Sequence, residues 1–323
     1  ARLARQLGGS PEEVIFTGGG TEANGLACLG LAGDRPARIA ISAVEHASIA
    51  HAAAWLAEHK GWQVDLIPTD GEGRIQPESV ANVVGPETRI VAIMLANNEL
   101  GTVNDIRSIV QRVGLHAPRA RVVVDAIQAF AKMPFSVRRL GADCVSIAAH
   151  KLHGPNGIGA LWTRKALRPV FRGGGQEMGI RGGTLSAPLA WAFAEAAERQ
   201  AVAMPSIEEM RNRLWTLIQN RIEGVSLNGP TPGPTRLKNN LNICIAGLPS
   251  EPLVNALSST DVCVSSGSAC GKGKFSKTLA AIGRKDRDGA FLRLSPGRFN
   301  SNAQMDVVVE RLTKAVQELR AVY

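Results

Sequence analysis

Between Glu13 and Trp162 short apolar runs alternate with helix-like stretches, and this alternation limits the possible folds more than any other feature of the chain. The runs Glu13–Thr17, Arg38–Ser42, Gln63–Ile67, Ile90–Leu95, Arg121–Val124, Cys144–Ala148 and Gly159–Trp162 predict strands. Most are almost continuously apolar, as strands buried on both faces must be. Helical patterns at Glu22–Leu31, Ser48–Lys60, Pro77–Val84 and Asp105–Leu115 lie between them. The expected architecture is α/β, with a mostly parallel, seven-stranded sheet covered by helices.

Beyond that region the pattern changes. An Ala-rich stretch, Ser186–Ala203, predicts a helix ending at the breaker Met204-Pro205, and Ile207–Ile222 predicts a second one. Strand patterns at Asn240–Ala246 and Phe291–Ser295 and helical patterns at Glu251–Ser258 and Asn302–Val322 describe a smaller α+β unit. The Pro/Gly-rich Asn228–Pro234 predicts a surface loop. Single cores stop growing at roughly 250–300 residues, so a chain of 323 residues is expected to hold two domains, 1–204 and 205–323.

Composition excludes several classes. No apolar run approaches the ~18–20 residues of a membrane span, and Ala1-Arg-Leu-Ala-Arg carries no signal-peptide core. Five scattered cysteines make no disulfide framework and no CxxC pair. The expectation is a cytoplasmic protein, or one in an equivalent reducing compartment, in which a thiol can work. The net charge of +9 is dispersed and accompanies no RNA- or DNA-binding signature, so direct nucleic-acid binding is not expected. It favours an acidic protein partner instead.

Three motifs carry chemistry. Thr17-Gly-Gly-Gly20-Thr21-Glu-Ala-Asn24 follows an apolar strand and opens a helix, where unpaired N–H groups and the positive dipole end suit a phosphate. It matches neither GxxxxGK[ST] nor GxGxxG, so a smaller phosphate-bearing cofactor fits better. Asp125 ends the apolar Val122-Val-Val run, where a carboxylate is costly unless paired and where open α/β sheets bind ligands. An Asp that merely caps the next helix is the plainer alternative. Lys151 follows the run Ser146-Ile-Ala-Ala-His150, and a lysine set against buried strand ends has its charged form disfavoured and its amine available as a nucleophile. A lysine snorkelling from a strand end is the plainer reading there. Together, phosphate cradle, strand-end Asp and strand-end Lys are the parts list for pyridoxal 5'-phosphate.

These and further motifs make the chain resemble a cysteine desulfurase of the NifS/IscS type, in the class V group of fold-type I pyridoxal-phosphate aminotransferases. The carriers are Phe16-Thr-Gly-Gly-Gly-Thr-Glu-Ala-Asn24, Val44-Glu-His46, Asn97-Asn-Glu-Leu-Gly101, Val124-Asp125-Ala-Ile-Gln128, His150-Lys151-Leu-His-Gly-Pro-Asn-Gly-Ile-Gly159, Gly173-Gly-Gly-Gln-Glu-Met-Gly-Ile-Arg181-Gly-Gly-Thr184, Ser265-Ser-Gly-Ser-Ala-Cys270 and Leu292-Arg293-Leu-Ser-Pro-Gly-Arg298-Phe299. They occur in family order across almost the whole chain.

The resemblance implies roles at these positions. Lys151 would form the Schiff base with the cofactor, Asp125 would pair with the pyridinium nitrogen, and Gln128 would bond the phenolic oxygen. His46 would stack on the ring and move protons, and Asn98 would help position cofactor and substrate. Gly20, Thr21 and His150 would hold the phosphate, and Thr184 would reach the phosphate of the other subunit, which implies a homodimer. Arg293 would clamp the substrate carboxylate. Cys270 would take sulfur from L-cysteine as a persulfide, release L-alanine, and pass the sulfur to a scaffold-type acceptor in iron–sulfur assembly or tRNA thiolation. Lys272 or Lys274, near it in sequence, would raise its thiolate fraction, while Cys144 and Cys244 sit in apolar strand patterns and read as inert.

Two departures stand out. Where the family has a phosphate-binding serine before the His-Lys pair, this chain has Ala148. Family members also open with a strand and an Asn-Ala-Ala-Thr-Thr-like run that nothing before Ala1-Arg-Leu-Ala-Arg matches, as expected of a fragment or of a chain lacking that segment. The rival readings are a selenocysteine lyase or other class V enzyme, and a catalytically impaired module that kept the fold. A metal site is not expected, because the spacing of His150, His153 and the cysteines suits no zinc pattern.

Overall fold

The computed structural model describes residues 1–266 and 275–323. The chain divides into two compact units: Ala1–Thr69, Ile75–Ala96 and Asn104–Ala201 form the first, and Asp70–Arg74, Asn97–Val103 and Val202–Tyr323 the second.

The first unit begins with α1 (Arg2–Leu7) and β1 (Val14–Thr17), followed by α2 (Gly20–Leu31), β2 (Arg38–Ser42), α3 (Ala47–Lys60) and β3 (Gln63–Ile67). It continues through α4 (Pro77–Ala81), β4 (Thr88–Met94), α5 (Ile106–His116), β5 (Arg121–Asp125), α6 (Val137–Leu140), β6 (Cys144–Ala148) and β7 (Gly159–Thr163). The seven strands form one sheet in the order β1-β7-β6-β5-β4-β2-β3. β2 through β6 run parallel, and β7 is antiparallel to both β6 and β1. The seven predicted strands are all present, and the sheet is mostly parallel as their apolar runs imply. Every residue of β6 and β7 is buried, whereas β3 at the sheet edge exposes Leu66. Buried residues from α2 and α3, among them Ala23, Ala27, Ile49 and Leu56, share a core with Ile39, Ile90 and Val123 of the sheet.

This topology brings the chemistry to one end of the sheet. Because β1 and β2 run with β5 and β6, the segments after Thr17, Ser42, Asp125 and Ala148 all leave the same end of the sheet. That carboxyl end is where open α/β sheets place ligands.

The long helix α7 (Ala187–Arg221) corrects one expectation. Pro205 lies inside it and does not end it. A proline in a helix interior costs about 3 kcal/mol. Met204, Ile207, Met210, Leu214 and Ile218 are all buried on a continuous stripe around it, and burying such side chains returns roughly 1.5–3 kcal/mol each.

In the second unit, β8 (Val225–Leu227), β9 (Leu241–Ile245), α8 (Ser250–Ser258), α9 (Lys277–Ala281), β10 (Ala290–Leu294) and α10 (Asn302–Arg320) follow. The strands form an antiparallel sheet in the order β10-β9-β8. The stretch Asn228–Pro234 is less superficial than its composition suggests. It folds around the buried Arg236, whose Nε donates to Pro230 O at 2.5 Å and whose Nη2 donates to Asn228 O. Desolvation, and then the charge of Arg211, lower the Arg236 guanidinium to about 9.

Candidate active site

In the first unit the site grows outward from Asp125, the last residue of β5, in register with Met94 of β4 and Ser146 of β6. Its carboxylate is buried and accepts the Ile127 N–H at 2.9 Å and the Asn24 amide at 2.8 Å. Burial raises its pKa, opposed by those two bonds and then by the charges of His46 and Lys151. A carboxylate so placed favours a cation beside it.

Asn24 is the hub. It is fully buried in α2, its Nδ2 also donates to Ser48 Oγ at 2.9 Å, and its Oδ1 accepts from Ser146 Oγ at 2.5 Å. Ser48 ties in His46, the N-cap of α3: the Ser48 N–H donates to His46 Nδ1 at 3.1 Å, with the Ser48 hydroxyl 2.8 Å from the same nitrogen. An accepting Nδ1 leaves the ring proton on Nε2. Asp125 and His46 are thus linked through Asn24 and Ser48, neither of which stands among the predicted site residues. The available signal is an Asn at the start of the buried, apolar stretch of α2, where such a residue needs a specific partner.

Gly20 and Thr21 open α2 behind an N-cap glycine that supplies no side-chain cap. A Cβ on Gly20 would lie 2.3 Å from Ile127 Cδ1, and one on Gly159 would lie 2.6 Å from the Gly19 carbonyl carbon, so both glycines are set by close approach. One donor is already committed: the Gly18 N–H goes to Glu22 at 2.6 Å, and Arg181 pairs with that carboxylate. Ala148, fully buried at the end of β6, lies next to this turn.

Lys151 follows on a short 3-10 turn, Ala149–Leu152. Here the expectation needs correcting. Ala149 and Leu152 are buried and anchor the turn, which lifts Lys151 past the strand end, and its side chain is exposed. What marks the place is its charge. Partial desolvation, then Lys151, Lys132 and His46, hold the exposed His150 ring below its usual range. The lysine charges felt at His150, close to the start of α2, suit a phosphate. Gln128, just after β5, presents its Oε1 to Lys132 Nζ at 3.0 Å. Thr184 is exposed, and so are the apolar Val170, Phe171, Met178 and Trp191 of the neighbouring segments.

In the second unit the structure brings Asn98 and Arg293 together, the Arg293 Nη1 donating to Asn98 O at 3.0 Å. Ser265 pairs with Arg293 through two backbone bonds, of 3.3 and 2.7 Å. Glu99, also buried, accepts from Ser276 Oγ at 2.5 Å and Thr278 Oγ1 at 3.1 Å. Cys270, Lys272 and Lys274 lie outside the described residues. Cys28, Cys144 and Cys244 are buried, and burial raises each thiol, that of Cys144 to about 12.

Three parts of the expected pyridoxal-phosphate set are thus present: Asp125 as a buried carboxylate at the end of β5, a glycine-opened helix start without a side-chain cap, and Lys151 on the turn after β6. These residues fit such a cofactor. The class-V aminotransferase family model matches residues 1–308. This chain belongs to that family. A cysteine desulfurase named IscS from Methanosarcina thermophila is 35% identical over 99% of this chain and 80% of its own length. A second, from Rickettsia felis, is 34% identical with the same coverage. A solved NifS-like protein matches with a TM-score of 0.88 at 30% identity, over 98% of this chain and 86% of that one. A structure described as SspA in complex with cysteine matches with a TM-score of 0.79 at 30% identity, over 93% and 85%. Within the class-V family, the chain is of the NifS/IscS cysteine desulfurase type. Among the described residues, no helix is long and apolar enough to cross a membrane.

Proposed function

We propose that this class-V enzyme uses pyridoxal 5'-phosphate to take sulfur from L-cysteine, releasing L-alanine and leaving a persulfide on Cys270 for a scaffold-type acceptor protein. The observation that carries the reading is the buried Asp125, held by Asn24 and Ile127 at the end of β5 within reach of the charges of His46 and Lys151. When bound, the cofactor supplies an electron sink next to the substrate's α-carbon.

The chain's own residues supply the rest. Lys151 would hold the cofactor through its amine, and Asp125 would keep the ring nitrogen protonated while Asn24 fixes the carboxylate. Gly20, Thr21 and His150 would hold the phosphate, and Gln128 the phenolic oxygen. His46, protonated at Nε2, would donate and recover a proton. Arg293 would bind the substrate carboxylate, aligned by the Asn98 carbonyl it already contacts. The Cys270 thiolate would attack the substrate sulfur: an S–S bond forms, the C–S bond breaks, and the carbon takes up a proton to give alanine. The exposed apolar side chains around Thr184 support a homodimer, and the unbridged cysteines Cys28, Cys144, Cys244 and Cys263 suit a cytoplasmic setting.

Incubation with L-cysteine and a thiol acceptor, with alanine and sulfide quantified and the persulfide mapped by mass spectrometry, tests this. Cys270→Ala should abolish sulfur transfer while keeping cofactor binding. Sulfur transfer by that variant would overturn the role of Cys270.

A further inference from the structure

Lys132 is buried, 4% exposed, and has no role in the proposed mechanism. It lies in the tight turn that follows β5. The Ala129 and Phe130 N–H groups both donate to Ala126 O, the Lys132 N–H donates to Ala129 O, and Ala131 takes a left-handed φ of 55°. This reversal turns the Lys132 side chain back on Gln128, and its Nζ donates to Gln128 Oε1 at 3.0 Å. Its charge is also felt at His150.

The chemistry of the pair is asymmetric. An ammonium has three donors and no acceptor, so it can bond only the oxygen end of an amide. Fixing the Gln128 oxygen on Lys132 commits Nε2, with its two donors, to the opposite direction. A phenolic oxygen that carries negative charge needs a donor, and an amide free to flip would present its oxygen part of the time. Burying a charged side chain is costly, and a lysine placed only to fill this space could be an apolar residue of the same shape.

We propose that Lys132 is a positioning residue that locks the Gln128 amide with its donors toward the phenolic oxygen of the cofactor. The proposal rests on the reading that Gln128 binds pyridoxal phosphate. Loss of one such hydrogen bond weakens binding by up to about tenfold. Lys132→Met and Gln128→Ala should each lower pyridoxal-phosphate affinity by about that factor, and each should move the pH midpoint of the bound cofactor's visible band upward. The double variant should be no worse than the poorer single one, since both remove the same contact. Lys132→Arg should restore the wild-type band. A lysine with a merely structural role would instead lower the melting temperature of the cofactor-free protein and leave the band in place.

Gln128→Glu gives an independent arm that leaves Lys132 untouched. Its carboxylate keeps the lysine contact but offers no donor, so it should bind the cofactor no better than Gln128→Ala. Wild-type affinity and band position in Lys132→Met or Gln128→Glu would overturn the proposal alone. A wild-type protein that takes up no pyridoxal phosphate would overturn the cofactor reading as well.

Discussion

The Asn24 amide donates to Asp125 Oδ2 at 2.8 Å, from a helix to the end of a strand a hundred and one residues later. The same amide serves Ser48 and Ser146, so a single side chain sets both the carboxylate and the serine that orients His46. Asn24→Ala leaves the buried Asp125 and Ser146 each short of a partner, and each orphaned group costs about 1–3 kcal/mol. The expected result is a lower melting temperature together with weaker cofactor uptake. Asn24→Asp should be worse for the cofactor than Asn24→Ala, because a second carboxylate beside Asp125 raises the pKa of the pair and removes the fixed negative charge. Calorimetry and pyridoxal-phosphate titration of the two variants separate the effects.

The turn before α2 gives a steric prediction. A Cβ on Gly20 would lie 2.3 Å from Ile127 Cδ1 and 3.4 Å from Ala148 Cβ. Gly20→Ala should destabilise the protein by about 1–3 kcal/mol, the usual cost of overpacking. Adding Ile127→Val removes the clashing Cδ1 and should recover most of that loss. Melting temperatures of the two singles and the double variant measure the coupling, and simple additivity would refute the contact as the cause.

Pro205 yields a third. In the interior of α7 it cannot donate to the carbonyl one turn earlier. Pro205→Ala restores that donor within a helix whose buried stripe is already formed, and should stabilise the protein by an amount approaching 3 kcal/mol. Chemical unfolding of the variant checks this, and a lower midpoint would mean that the helix is shaped around the proline.

The sheet and its strand-end chemistry were legible because both faces are buried: continuous apolar runs gave all seven strands, and Asp125 and the lysine-bearing turn fall where those runs stop. The continuity of α7 was hidden, since local proline chemistry outweighs a packing stripe only when the packing is unseen. Asn24, Ser48 and Lys132 were missed for a related reason. Each acts through a partner that is remote in sequence or reached around a left-handed residue, and a pattern of residue types does not encode that contact. The same blindness made Asn228–Pro234 look superficial, since its anchor is the buried guanidinium of Arg236.

Glu45, one residue before His46, provides a pH prediction. Its Oε1 accepts from Ser42 Oγ at 2.6 Å and Met94 N at 2.8 Å, while its Oε2 is buried with no hydrogen-bond partner. Burial, aided by the charge of Asp125, raises its pKa to about 8, with the Ser42 and Met94 bonds acting against the shift. The folded chain therefore holds a proton on Glu45 that the unfolded chain, titrating near ~4.3, gives up. Stability from this group is complete below the unfolded midpoint and is lost as pH rises through about 8. Glu45→Gln keeps the acceptor oxygen and replaces the proton-bearing one with a fixed donor, so its stability should not fall over that interval. Each unit separating the two midpoints is worth about 1.4 kcal/mol, so the two proteins should be similar in acid, with the variant more stable at pH near ~9. Melting temperatures of both cofactor-free proteins across that range decide the matter, and parallel curves would mean that Glu45 is ionised in the fold.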